Sequence, residues 1–186
     1  NLASLRTADL SIDTSPDLKL HIGKDVFDIS GSIMIPHATA LIRNLSKNAT
    51  PRSADVIVHA PENANEQRKE TIVTGNVEVL ICKAVRFNGF GLNSRLEGTL
   101  KLAQSRGGFL SSNGTVRVRD GFLTGYGKEL RVDRGTLTFT GQLDDPLIDI
   151  QVSRLSTYES RQYTIGLRLT GSAQNVITEP YSQPAM

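Results

Sequence analysis

From Leu18 onward the chain places an apolar residue at almost every second position, and a period of two is the signature of half-buried strands. Leu18, Leu20 and Ile22 alternate with polar neighbours, and Phe27, Ile29, Gly31, Ile33 and Ile35 do so in one run up to Pro36. Val77, Val79 and Ile81 follow, then Leu96, Gly98, Leu100 and Leu102. Val116 with Val118, Leu130 with Val132, Leu137 with Phe139, Ile148 with Ile150 and Val152, and Ile165 with Leu167 and Leu169 complete the series. A helical 3,4 stripe fits almost none of these segments. In residues 37–45 (HATALIRNL), Leu41 and Leu45 would share a helix face, but Ala40 and Ile42 continue the alternation. We read a strand there, with a bulge at Pro36, because proline has no N–H for a central ladder.

A short unit recurs within the strands: GSIMI at 31–35, GTLKL at 98–102, GTVRV at 114–118 and GTLTF at 135–139, with GNVEV at 75–79 a near match. Each glycine is expected to mark a point where a strand kinks or starts, and repeated kinks curve a sheet along its length. The links are short enough for antiparallel meanders. The pattern fails between Ser46 and Glu70 except at Val56 and Val58, and PENANEQRKE at 61–70 reads as a solvated, mobile loop near 60–70. Alternation resumes unchanged afterwards, so residues 1–186 are expected to form one domain.

Composition narrows the function. The net charge of +2 is small and the basic residues are scattered among acids, which argues against a nucleic-acid surface. Cys82 is the only cysteine, excluding an internal disulfide and a cysteine-based zinc site. No run of about 18 apolar residues is present. Aromatics make up 5% of the chain and Trp is absent, few for a tightly filled β core. About ten strands at ~4.8 Å spacing would give a sheet roughly 45 Å across with one apolar face. That face needs a cover, and the pattern alone is equally met by an ordinary sandwich or barrel that fills its own core.

No enzyme signature emerges, and neither a catalytic residue, a metal nor a cofactor is expected. His21, His37 and His59 stand apart without ligand spacing. Asp144-Asp145-Pro146 reads as a turn before a strand at 147–152, and Gly125-Tyr126-Gly127 as a strand kink, lacking the Lys-Ser/Thr of a phosphate loop. Asn88-Gly89 reads as a two-residue hairpin turn between Val85–Phe87 and Phe90–Leu92. Cys82 is expected to be a small buried residue. Asn44, Asn48 and Asn113 fall in glycosylation sequons.

Three stretches are similar to the C-terminal region of the TamB-like, AsmA-related family of bacterial envelope proteins: VRFNGFGL at 85–92 followed by SRLEGTLKL, GTVRVRDGFLTGYGKELRVDRGTLTFTG at 114–141 running on into DDPLIDIQVSR, and the closing GLRLTGSAQNVITEPYSQPAM. The likeness is dense over roughly 72–186, and residues 1–50 agree in pattern only. Asn175-Val176 depart from the family, which usually carries a proline there. The resemblance implies an all-β, elongated, curved sheet folded like a taco around an open hydrophobic groove. It implies a piece of a larger periplasmic protein, anchored in the inner membrane of a Gram-negative cell and reaching the outer membrane. Two roles follow from it: carrying phospholipids between membranes by shielding their acyl chains, or acting with the outer-membrane barrel TamA to insert β-barrel proteins. The groove would be lined by Ile33, Ile35, Val77, Val79, Ile81, Leu96, Leu100, Leu102, Val116, Val118, Leu137, Phe139, Ile148, Ile150, Val152, Ile165, Leu167 and Leu169. Phe87 and Phe90 would touch a guest or partner. The guests implied are phospholipid acyl chains or unfolded outer-membrane proteins.

Overall fold

The computed structural model describes residues 3–23, 26–42, 72–106, 108–125, 127–158 and 160–184. The loop expected near 60–70, His59, Asn44, Asn48 and Tyr126 lie outside the described residues. The described chain is all strand: β1 (Ala3–Arg6), β2 (Leu10–Ile22), β3 (Val26–Ile42), β4 (Ile72–Gly89), β5 (Leu92–Gln104), β6 (Leu110–Gly125), β7 (Lys128–Gln142), β8 (Leu147–Tyr158), β9 (Arg161–Ser172) and β10 (Asn175–Gln183). They form one curved sheet in chain order, and its outermost strands, β1 and β10, do not pair with each other. The sheet is therefore open, neither a barrel nor two packed sheets.

Neighbouring strands are antiparallel with one exception. β3 and β4 run parallel, Val26 opposite Ile72 and Ile42 opposite Gly89, which corrects the expectation of an uninterrupted meander. A parallel pair needs a crossover of a dozen or more residues. Residues 43–71, which include the stretch where alternation fails, supply that length between the two strands.

The strands are long because each crosses a bend. The register shifts between Asp13 and Ser15 on β2, between Ile35 and His37 on β3, between Ile81 and Val85 on β4, between Asn93 and Arg95 on β5 and between Val132 and Arg134 on β7. Across the β6–β7 pair, residues 118–121 and 132–135 interrupt the ladder without a register change. Neighbouring irregularities are opposite or nearly so, and together they draw a crease across the sheet from β2 to β7. Bulges bend a strand and increase its twist, and a line of them folds the sheet into two walls. Pro36 is the sequence's clearest marker of this crease: β3 continues through it to Ile42, as expected, and neither partner ladder needs its missing N–H.

The repeated glycines are not themselves the kinks, a second correction. Gly98 and Gly135 stand beside the crease, whereas Gly31 and Gly114 lie well inside one wall. Their common property is to occupy the concave face, where side chains from adjacent strands converge. Two turns also differ from expectation. Gly89 pairs with Leu92, so the hairpin turn is Phe90-Gly91 rather than Asn88-Gly89, and Asn88 sits in the ladder opposite Asn93. Both turn residues have positive φ, 54° and 79°, as a type I′ turn requires. Gly125 pairs with Lys128 at the end of the β6–β7 ladder, so Gly125 is not a kink in mid-strand. Asp144-Asp145-Pro146 does precede β8, and Asp145 Oδ1 accepts the Gln174 N–H at 2.9 Å, tying this turn to the β9–β10 turn.

Candidate functional site

The ladder register shows which alternating residues share a face. Leu18 is opposite Gly31, Gly31 opposite Val77, Val77 opposite Leu102 and Leu102 opposite Ser112. On the same side Leu100 faces Gly114, Gly114 faces Phe139, Leu137 faces Ile148, and Ile150 faces Leu169. Gly171 and Val176 carry the face onto the last strand. One apolar surface thus runs across the sheet from β2 to β10, ~38 Å at ~4.8 Å per strand step. It is the concave face, and the side chains of opposite parity, including Glu97, Arg117 and Lys101, point outward.

Packing on this face is partial. Val79, Leu100, Val116 and Phe139 form one buried cluster, with Ile35, Val77, Ile81 and Leu102 against it. Val118, Leu130, Val132, Ile150 and Val152 form a second, with Ile148, Leu167 and Leu169 alongside. Leu96 and Leu137 touch both, so the two clusters are continuous. Among the described residues, Val152 alone is fully buried. At the β2 side the cover is lost: Leu18, Leu20 and Ile22 are exposed. A closed core would leave the centre of such a face dry and filled. Here most of the apolar lining stays half-open.

The β4–β5 hairpin contributes to a cavity on this face. Phe87, Gly89, Phe90, Leu92, Leu96 and Leu123 form one side of a cavity of about 440 Å³. Leu137, Pro146, Ile148, Ile150, Leu169, Ala173 and Val176 form the other, with Val118 and Val152 at its floor. The volume falls within the usual range for small-molecule sites, ~300–1,000 Å³, but no charged side chain lines it. Such a cavity offers burial without a polar anchor.

Nine residues singled out from sequence meet in this cavity: Phe87, Phe90, Leu96, Val118, Leu137, Ile148, Ile150, Val152 and Leu169. Ile35, Val77, Val79, Ile81, Leu100, Leu102, Val116 and Phe139 lie on the same face in the first cluster, and Leu167 in the second. Ile33 is half-buried on β3 outside both clusters, and Ile165 lines a separate cleft with Lys128, Arg154 and Tyr181. Sequence reasoning missed Leu92, Leu123, Pro146, Ala173 and Val176. Leu92 and Leu123 continue the alternation across a hairpin and were detectable. Pro146 and Ala173 belong to turns, and no periodicity points to them. His21 and His37 lie on separate strands, and among the described residues no cluster of His, Cys, Asp and Glu could hold a metal ion. Cys82 is half-buried at the crease rather than fully buried.

Among the described residues no helix is long and apolar enough to cross a membrane. The family model of the TamB C-terminal domain matches residues 1–186. The translocation and assembly module subunit TamB of Haemophilus influenzae is 26% identical over 183 residues, which cover 92% of this chain and 14% of that protein. The chain thus spans about 14% of that relative's length. With the family model matched from end to end, the chain belongs to the TamB C-terminal domain family.

Proposed function

We propose that this domain shields phospholipid acyl chains during transport between the inner and outer membranes, as a periplasmic part of a longer, membrane-anchored protein. The observation that carries the reading is the largely apolar concave face, with a cavity that has no charged lining. Each CH₂ taken from water contributes about 0.8 kcal/mol, so an aliphatic wall holds a tail without any specific polar contact. Successive positions along such a wall are close in energy, which suits passage rather than storage. No step of this function requires a catalytic residue. The test is lipid mass spectrometry on the purified 186-residue chain and its Leu137→Arg variant. Leu137 is half-buried and borders both clusters. The wild-type chain should retain phospholipid after mild purification, and the variant should lose at least nine-tenths of it while keeping its strand circular dichroism. Equal lipid content in the two folded proteins contradicts the reading.

A second reading has its own support in the sheet edges. β1 covers only Ser11–Thr14 of β2, so the outer edge of Pro16–Ile22 has no ladder partner among the described residues. β10 forms the other edge. An open edge can take up an extended segment by strand addition, the step expected if the domain works with the TamA barrel on incoming outer-membrane strands. This role predicts that an outer-membrane strand peptide slows amide exchange along β2 or β10, in a manner that Leu137→Arg leaves intact.

A further inference from the structure

The convex face carries an arginine row unrelated to the apolar trough. Arg86 on β4 is directly opposite Arg95 on β5, and Arg95 is opposite Arg119 on β6. Arg119 and Arg134 hold equivalent positions within the interruption of the β6–β7 ladder, between the Arg117–Thr136 and Phe122–Arg131 pairs; Arg134 faces Gln151, and Gln151 faces Arg168 on β9. Five of six successive strands therefore present an arginine on one line, ~24 Å long at ~4.8 Å per rung. Directly opposed like charges weaken a sheet, and Arg86–Arg95 and Arg95–Arg119 are two such pairs, whereas Arg168 stands opposite Glu179 on β10. Three of its members are held by carboxylates of the same face: Arg95 by Asp120, Arg119 by Glu97 at 2.9 Å and Arg134 by Asp149 at 3.7 Å. These arginine side chains remain 49–58% exposed. Arg86 and Arg168, near the ends, form no ion pair among the described residues.

We propose that this row docks an acidic helix of a partner protein, laid across the strands. The spacing decides between partner shapes. One stripe of a helix repeats carboxylates every ~5–6 Å through its i, i+3 and i, i+4 positions, close to the rung spacing, whereas one face of an extended strand repeats every ~6.8 Å. The interleaved carboxylates decide against a bilayer: an anionic membrane rewards net positive charge and repels Glu97, Asp120 and Asp149. A protein of patterned charge complements both signs and so fixes register. Arginine suits the role because its planar fork binds carboxylates with two parallel hydrogen bonds.

The probe is a fluorescent alanine-based helical peptide of about 16 residues, enough for ~24 Å, with glutamates on a single stripe. Its control has the same composition with the glutamates shuffled around the helix. The 186-residue chain should bind the striped peptide about tenfold more tightly than the shuffled one, and Arg86→Glu/Arg168→Glu should remove about tenfold of that affinity. Both residues lie outside the apolar trough, so retention of lipid by this variant is expected and reports folding independently. Equal binding of the two peptides overturns the proposal without recourse to any variant. So does capture by phosphatidylglycerol vesicles with no preference between the peptides, which would assign the row to a membrane surface.

Discussion

Gly98 and Gly114 occupy the concave face of adjacent strands, and neither position has room for a methyl group. A Cβ on Gly98 would stand 2.2 Å from the Thr115 carbonyl oxygen and 2.8 Å from the Val116 Cα; one on Gly114 would stand 2.2 Å from the Thr99 oxygen. These neighbours are backbone and cannot swing aside, so Gly98→Ala or Gly114→Ala should each cost about 2–4 kcal/mol, read by urea unfolding. A change below about 0.5 kcal/mol would mean that the strands are less closely apposed. Phe90 presents the opposite case. Its φ of 54° is a conformation bulky residues rarely adopt, and it is 69% exposed, so packing contributes little to holding it. Asn suits this turn position, and Phe90→Asn should raise stability by about 0.5–1 kcal/mol while weakening acyl-chain retention. A gain in stability with unchanged lipid content would remove Phe90 from the lining of the trough.

The strands were legible in sequence because their alternation is strong, and Pro36 even marked where one of them bends. What escaped was pairing. The sequence motif at Asn88-Gly89 is a favoured turn dipeptide, yet the turn forms one step later because Gly89 must pair with Leu92 to keep Phe87 and Leu92 on the concave face. The parallel β3–β4 pair likewise depends on a contact between segments remote in sequence, and no local pattern encodes its direction. The same holds for β10. Tyr181 lies over Gly166, where a Cβ would come within 2.6 Å of its ring. Its hydroxyl accepts a hydrogen bond from Gln151 Nε2 at 2.9 Å and donates to Asp133 Oδ2 at 3.4 Å. This latch pins the edge strand to β8 and β7 across β9. Tyr181→Phe should cost about 1 kcal/mol and speed amide exchange along β10 more than along β8. Uniform acceleration through the sheet would instead indicate global destabilisation.

At the scale of the whole molecule, the candidate site is a property of curvature. Alternation established an apolar face, and an ordinary core would have produced the same pattern. Register breaks placed opposite one another on successive strands fold that face inward, and the open edges leave it unclosed. Those breaks depend on the offset between neighbouring strands, which is why alternation placed most of the expected lining residues on one face but carried no sign of the cavity's turn residues. On the proposed function, the concave face and not the convex one holds lipid tails. The most direct measurement is photo-crosslinking to phospholipid from adjacent positions of opposite parity: Leu102, Leu137 and Leu169 against Lys101, Thr136 and Arg168. Phospholipid adducts from the first three, with little from the second three, are the predicted result; adducts from both sets alike, or from the convex positions alone, would contradict it.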